Sequence, residues 1–582
     1  MINLPARETL MAQAQGITRG LTNYGDQGFA AYLRRSFIKS MGYTDDSLAK
    51  PIVGIASTAS GFNNCHRSMP ELVDAVKRGV LAAGGLPVEF PSMSLGEVFL
   101  SPTSLMFRNL MSMVTEEMIR AQPMDSVVLI GGCDKTVPAQ LMGAVSANLP
   151  AVQLVTGPMM TGRYQGERLG ACTDCRRFWA QYRAGGVSDQ QIREIEGALA
   201  TTAGTCAVMG TASTMACIAE TLGMMLPGTA AIPAVHADRL RAAERSGTLA
   251  VALIHKPITP QQVITDKSVE NAMRVLLALG GSTNAIIHLT AIAGRAGHRI
   301  SLNRLNELSD TTPVLVDLKP TGSHYMEDFF AAGGMTGVLR ELKPLLHLDC
   351  ITVTGETLGQ RIEAEKACWV DSSVIRPFTN PIDQMGGLVA LFGSLAPNGA
   401  IMKRSAADKT LFESEGRAVV FESLEDLSKR VDDPDLDIKA DDFMVLKNAG
   451  PVSGTGMPEA GYLPIPKKLA AAGVKDLVRI SDARMSGTAY GTIVLHVSPE
   501  AAAGGPLSLV KNGDRIKISI AQKQIDLLVS PEELASRQAE FLEKSKNRKR
   551  PTRGYQALYA NHVQQAEFGC DFDFLVSDKR TG

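Results

Sequence analysis

The sequence predicts an α/β protein in two parts: an N-terminal parallel-sheet α/β domain over residues 1–382 and a C-terminal β-barrel-like domain over residues 383–582. Three observations carry this reading. Strand-like and helix-like segments alternate through the first two-thirds of the chain. Short β-rich runs take over after about residue 380. Aromatic residues make up only 5% of the 582 residues while Gly (54) and Met (25) are plentiful, which favours close-packed layers with tight loops over an all-β sandwich.

In chain order, Pro51-Ile-Val-Gly-Ile-Ala56 is a short apolar run, too short for a helix, and reads as a buried strand. A helix is expected from Pro70 to Ala83 and a second from Leu105 to Arg120. Asp125-Ser-Val-Val-Leu-Ile130 and Ala151-Val-Gln-Leu-Val155 are further strands, followed by helices from Asp189 to Ala200 and Val269 to Leu279. Pro313-Val-Leu-Val-Asp317 reads as one more strand. Such alternation implies a parallel sheet covered on both faces, with ligands collecting at the carboxyl ends of its strands. The boundary is expected between Pro377 and Gly393. Beyond it, Gly399–Lys403, Arg417–Phe421, Asp442–Leu446, Leu477–Ser481 and Gly491–His496 read as strands, and Asn512-Gly-Asp514 reads as a hairpin turn within Leu507–Val529. The basic stretch Glu543–Arg553 reads as a solvated surface segment. No repeat or low-complexity tract stands out.

Formal net charge is −1, from 59 basic and 60 acidic residues, so nothing suggests nucleic-acid or membrane electrostatics. The start, Met1-Ile-Asn-Leu-Pro-Ala-Arg-Glu-Thr-Leu10, is too polar for a signal sequence, and no apolar run is long enough to span a bilayer. A cytoplasmic protein is expected, its nine cysteines free thiols or ligands rather than disulfides.

Three cysteines lie in loops of small residues: Cys65 in Phe62-Asn-Asn-Cys-His66, Cys133 in Gly131-Gly-Cys-Asp-Lys-Thr136, and Cys206 in Gly204-Thr-Cys-Ala-Val-Met-Gly210. A lone buried Cys is usually a small hydrophobe. These three are preceded by Asn, Gly or Thr instead of an apolar run, and small residues let backbone amides approach the sulfurs of an iron–sulfur cluster. Local sequence leaves both readings open. Cys133 is followed directly by Asp134 and Lys135. A thiolate, a carboxylate and an amine in succession suit a soft and a hard metal centre side by side. Glu97, after Ser94-Leu-Gly96, and Glu459, in Gly454-Thr-Gly-Met-Pro-Glu-Ala-Gly461, are further oxygen donors, although such residues are commonly solvated surface groups. Lys135 would repel a divalent cation unless carbamylated; before any wider comparison an ion pair is the better reading. Cys172 and Cys175, in Cys-Thr-Asp-Cys, have redox or zinc spacing. No second such motif completes a zinc site, and a structural role is favoured for the pair. Ser486, in Ser481-Asp-Ala-Arg-Met-Ser-Gly-Thr488, lacks an esterase elbow, and turn chemistry explains most such serines. Gly280-Gly-Ser-Thr-Asn284, with His288, reads as a packing or ligand-lining loop, with packing favoured.

Taken together, these segments resemble the dihydroxy-acid and sugar-acid dehydratase family over nearly the whole chain. The specific blocks are Gly131–Thr136, Gly204–Met209, Gly280–Ala285, Met326-Glu-Asp328, Gly387-Leu388, Leu395–Gly399, Gly450-Pro451, Gly456–Ala460 and Ser481–Gly487. Gly25–Phe37, Ser94–Thr103 and Arg108-Asn-Leu-Met111 look like the pentonate branch, the arabinonate and xylonate dehydratases. In the branched-chain biosynthetic enzyme the loop cysteine is usually followed by Asp-Lys-Asn; here Thr136 stands in the Asn position.

The resemblance implies cluster ligands at Cys65, Cys133 and Cys206, with [2Fe-2S] the expected form and [4Fe-4S] the alternative. It implies magnesium (Mg2+) ligands at Glu97, Asp134, Glu459 and a carbamylated Lys135, and a catalytic base at Ser486. The implied reaction takes water from an aldonate such as L-arabinonate or D-xylonate to leave a 2-keto-3-deoxy acid. The implied assembly is a homodimer or homotetramer, with a small-molecule substrate and no nucleic-acid or membrane partner. The rival enzyme reading is the dihydroxy-acid dehydratase of branched-chain amino-acid synthesis. Phosphogluconate is disfavoured because no Arg cluster for a phosphate is evident. A redox sensor using Cys172 and Cys175 would leave Glu97, Glu459 and Ser486 without a role.

Overall fold

The computed structural model describes residues 16–546 and 550–576. The polar stretch Met1–Leu10 lies outside the described residues, as does part of the basic segment 543–553. The first sheet contains β1 (Ile52–Ser57), β2 (Leu86–Pro91), β3 (Ser126–Gly131) and β4 (Ala151–Val155), in the spatial order β2-β1-β3-β4, all parallel. β1 and β3 are buried along their whole length, as expected of strands covered on both faces. The connection from β1 to β2 runs through helix Met69–Ala82 in one direction. Those from β2 to β3, through Ser104–Ala121, and from β3 to β4, through Thr136–Ala147, run in the other. Right-handed crossovers therefore put the first helix on one face and the other two on the opposite face. The order reverses between β1 and β3, and the crevice at their carboxyl ends is where the Cys65 and Cys133 loops emerge.

Helix Ala237–His255 packs on Met69–Ala82 at close range. A Cβ added at Gly79 would meet the Glu244 carbonyl oxygen at 1.8 Å, so only glycine fits there. β2 was not anticipated. Conversely, Pro313–Asp317 does not enter the sheet and makes only isolated bridges, Val314 with Asp383 and Val316 with Ile375. A short apolar run is buried there without a ladder.

A two-stranded hairpin, β5 (Gly162–Tyr164) and β6 (Glu167–Leu169), follows the first sheet. The second large sheet has eight strands: β7 (Val389–Leu391), β8 (Gly399–Met402), β9 (Glu413–Phe421), β10 (Phe443–Leu446), β11 (Arg479–Ser481), β12 (Ile493–Ser498), β13 (Arg515–Ser519) and β14 (Gln524–Leu527). Their order is β14-β13-β9-β10-β11-β12-β8-β7. A bridge from Phe392 to Gln524 nearly closes the sheet into the expected barrel, with Phe392 N donating to Lys523 O (2.9 Å) and Ile525 N to Phe392 O (2.8 Å). Alternation along β9 sorts the side chains: Ala418 and Val420 join the barrel core, while Val419 and Phe421 pack in a second cluster outside it. The hairpin turn differs from the expectation. β13 and β14 are joined at 520–523, whereas Asn512 and Gly513 dock on β9 by accepting from Val420 N (2.7 Å) and donating to Ala418 O (3.0 Å).

Candidate active site

The loop leaving β1 turns back in a single 3-10 turn, Asn64–His66, with Asn63 accepting from Cys65 N at 3.1 Å. His66 is buried and fastens this loop to the one leaving β3. Its Nε2 faces two donors, Gly132 N (3.0 Å) and Cys133 N (3.2 Å), and must accept. Its Nδ1 therefore carries the proton and donates to Thr58 O (2.8 Å). Burial holds this imidazole neutral, its pKa pushed down to about 4. Gly132 allows the approach, since a Cβ there would lie 1.9 Å from Thr156 Oγ1.

Cys206 is carried past the end of β4 by backbone bonds from Thr205 N to Gly157 O (2.9 Å) and Ala207 N to Ala171 O (3.0 Å). The Cys133 thiol is raised by a hydrogen bond to Cys65 and by burial. The Cys206 thiol is raised by a hydrogen bond to Cys172, then by burial and the charges of Cys172, Cys65 and Asp134. The three expected thiols thus share one electrostatic neighbourhood. Cys172 joins them, its Sγ 3.4 Å from that of Cys206. The Cys-Thr-Asp-Cys motif, read from sequence as a structural pair, stands at the thiol site. A contact made across 34 residues leaves no local trace.

The carboxylates meet beside the thiols. Ligand oxygens of Glu97, Asp134 and Glu459 all lie within 4.8 Å of one another. Lys135, fully buried, sits among them: its Nζ is 2.5 Å from Asp134, 3.0 Å from Glu97 and 3.4 Å from Glu459. Burial and Arg484 work against its charge, but the three carboxylates outweigh them and hold the ammonium protonated. Burial, with the charges of Asp134 and Glu459, pushes Glu97 up to about 7 against the pull of Lys135. Ser104 Oγ also donates to Glu97. Glu459 stays low despite burial because Lys135 and Arg484 face it. Arg484 reaches it at 3.2 Å and Asn284 Nδ2 donates to it at 2.7 Å. Asn284, from the loop read as packing with ligand lining the alternative, thus faces the site, and its buried Oδ1 has no partner among the described residues. Three crowded carboxylates and an unsatisfied amide oxygen suit a hard divalent cation, and free thiols close by suit iron.

Ser486 follows β11. Its Oγ lies 2.8 Å from Thr488 Oγ1, and Lys403 Nζ donates to Gly487 O at 3.4 Å. Arg484, two residues before the serine, ties its loop to Glu459. Burial pushes Lys403 down to about 7. None of His66, Asn284, Arg484 and Lys403 was assigned a role from sequence. His66, adjacent to Cys65, and Asn284, in a loop with ligand lining as the alternative, carried local hints.

Glu500 braces the loop that carries Glu459. It accepts from Val452 N (2.7 Å) and Gln565 Nε2 (2.8 Å), while neighbouring Asp482 accepts from Ala449 N and Ala501 N, both at 2.9 Å. Burial, reinforced by Asp482, pushes Glu500 from 4.5 to about 8. The folded state therefore holds a proton that the unfolded chain has released. Stability is full below the lower value and is lost as pH rises through the upper one. The thermal midpoint should decline as pH rises from about 5 to about 8, and Glu500→Gln should flatten that decline in a pH series of melting curves.

Residues 50–361 match the family described as dihydroxy-acid/6-phosphogluconate dehydratase N-terminal, and residues 373–570 match its C-terminal counterpart. The chain belongs to the dihydroxy-acid/6-phosphogluconate dehydratase family. Three relatives place it within that family. It is 45% identical to a 6-deoxy-6-sulfo-D-gluconate dehydratase of Pseudomonas putida over 94% of each chain. It is 44% identical to an L-arabinonate dehydratase of Rhizobium leguminosarum bv. trifolii over 95% of each. With a dihydroxy-acid dehydratase of Desulfosudis oleivorans it shares 39% over 94% of this chain and 98% of that one. The expected family and the hydro-lyase class are thereby borne out. Among the described residues, no helix of this dehydratase is long and apolar enough to cross a membrane.

Proposed function

We propose that the protein dehydrates a sugar acid, an aldonate with hydroxyls at C2 and C3, to the 2-keto-3-deoxy acid, with L-arabinonate and D-xylonate the leading substrates. The observation that carries this is the meeting of an oxygen-donor group and a thiol group at one crevice, joined through the consecutive residues Cys133 and Asp134. The greater identity to sugar-acid dehydratases than to the dihydroxy-acid dehydratase supports the substrate class. A cavity of about 530 Å³ beside helix Thr173–Arg183 adds cations: Arg176, Arg183 and Lys467 line it with Trp179, Tyr462 and Tyr490. Arg176 and Arg183 stand two turns apart on one helix, and Lys467 is brought to them from the second half of the chain. Arg183 is engaged by Asp432, but among the described residues Arg176 has no ion pair and lies over the Tyr462 ring, 4.9 Å from its centroid.

Glu97, Asp134 and Glu459 would hold magnesium, and Cys65, Cys133 and Cys206 a [2Fe-2S] cluster. When bound, these groups supply Lewis acidity to the substrate's carboxylate and its neighbouring hydroxyls. Ser486 Oγ takes the C2 proton, with the Thr488 hydroxyl orienting it. Asn284 and Arg484 fix Glu459, and His66 fixes the Cys133 loop through its two amide contacts. Carbamylation of Lys135 requires the neutral amine. A divalent cation on the same carboxylates would disfavour the ammonium and so favour that form.

The test is anaerobic turnover of four- to six-carbon aldonates and 2,3-dihydroxyisovalerate, read as 2-keto acid formation. Turnover of aldonates, lost with a chelator and restored by magnesium, is expected. Turnover of dihydroxyisovalerate alone would replace this reading with the biosynthetic one. Cys133→Ser should bleach the visible absorbance of the isolated protein, and an unchanged spectrum would remove Cys133 from the ligand set.

A further inference from the structure

The dehydration leaves the Cys-Thr-Asp-Cys motif unused, yet its first sulfur lies 3.4 Å from that of Cys206. Both thiols are free and partly accessible. Their backbones are bonded together one residue away, by Ala207 N to Ala171 O at 3.0 Å. The start of the Cys172 helix is pinned on two further sides. Asp174 Oδ2 accepts from Gly170 N (2.8 Å) and Tyr325 Oη (3.0 Å), and Thr173 Oγ1 donates to Thr488 O (3.1 Å) in the Ser486 loop. The two sulfurs are therefore held as neighbours by the fold, and bonding them needs an approach of roughly 1.4 Å, within reach of side-chain rotation. Among the described residues, Cys217, Cys350, Cys368 and Cys570 make no such sulfur–sulfur contact with Cys206.

We propose that Cys172 is a resolving thiol for Cys206, closing with it to a disulfide when oxidation has freed Cys206 from iron. The oxidant is a peroxide. One thiol attacks an oxygen of the O–O bond, giving a sulfenic acid and releasing water. The second thiol attacks that sulfur, the S–S bond forms, and the hydroxyl leaves as a second water. In sum, two thiols and one hydrogen peroxide become one disulfide and two waters: two sulfurs are oxidised and the peroxide is reduced. The disulfide halts the oxidation of Cys206 before the irreversible sulfinic stage. A dithiol reductant then returns a ligand fit to be reloaded. This rests on the proposed ligation by Cys206 only for what is lost; the cross-link itself is read separately.

The test treats the full-length protein as isolated with a molar excess of hydrogen peroxide, alkylates it, and maps peptides by mass. A linked peptide containing Cys172 and Cys206 is expected, removed by dithiothreitol, with visible absorbance returning after ferrous iron and sulfide are added. In Cys172→Ser, Cys206 should appear as sulfinic or sulfonic acid and the absorbance should not return, whereas Cys175→Ser should keep the cross-link. Sulfinic Cys206 in the wild type, a Cys172–Cys175 link in its place, or full recovery by Cys172→Ser would each overturn the proposal. So would untreated Cys172→Ser lacking absorbance, which would make Cys172 an iron ligand. Untreated wild type without absorbance would instead sink the cluster reading, and the cross-link would still be measured.

Discussion

Ser486→Ala should lose turnover by a factor on the order of 100 to 10,000, the usual contribution of a positioned base, while keeping the visible absorbance of the wild type. The structure explains why the two readouts separate. Ser486 lies in the loop after β11, whereas the thiols stand on loops from the first half of the chain. Its Oγ has the Thr488 hydroxyl at 2.8 Å and a weak contact from Thr488 N at 3.4 Å. Removing it costs about 1 kcal/mol of stability and leaves Arg484 on Glu459. KM should change little, because the lost atom acts on the C2 proton and not on the carboxylate or hydroxyls that bind. Full activity in this variant would remove Ser486 as the base. The next candidate would be Lys403, whose amine burial pushes down to about 7 and which touches the same loop at Gly487 O. Lys403→Met would then separate the two.

Both halves of the fold were legible because the signals are local: β1, β3 and β4 are apolar runs, and the barrel strands are short β-rich runs. β2 escaped because Leu86-Pro-Val-Glu-Phe-Pro91 contains two prolines and a glutamate, features that only an edge strand tolerates, and β2 is the edge of its sheet. Pro313–Asp317 failed the other way, since its apolar pattern says nothing about whether a ladder partner is within reach. The same division holds at the site. Cys133, Asp134 and Lys135 are consecutive, so their joint chemistry could be read directly. Asn284, Arg484 and Cys172 act through contacts made across long stretches of chain, and their neighbours in sequence look like ordinary packing or surface residues. Lys135 lies between these cases. The ion pair favoured on local grounds is what the fold makes of the amine, with three carboxylate partners and not one.

That arrangement sets the second large expectation. Lys135→Met should destabilise the protein by roughly 3–5 kcal/mol in the presence of a chelator, the usual consequence of removing one member of a buried charge group. Glu97, Asp134 and Glu459 would then crowd within 4.8 Å of one another, with Arg484 and the more distant Arg176 left to offset them. Their repulsion raises carboxylate pKa values, so the folded variant would take up protons that the unfolded chain does not hold. Its stability should fall as pH rises from about 5 to about 8, where the wild type, with Lys135 in place, should change less. Magnesium should reverse the loss. A divalent cation bound by the three carboxylates restores the missing positive charge and stabilises the folded state by mass action, so the melting temperature of the variant should rise with magnesium more steeply than that of the wild type. Melting curves with chelator and with millimolar magnesium decide the matter. If magnesium moves neither protein, the three carboxylates serve only to bury a lysine, and the oxygen half of the proposed centre has no basis.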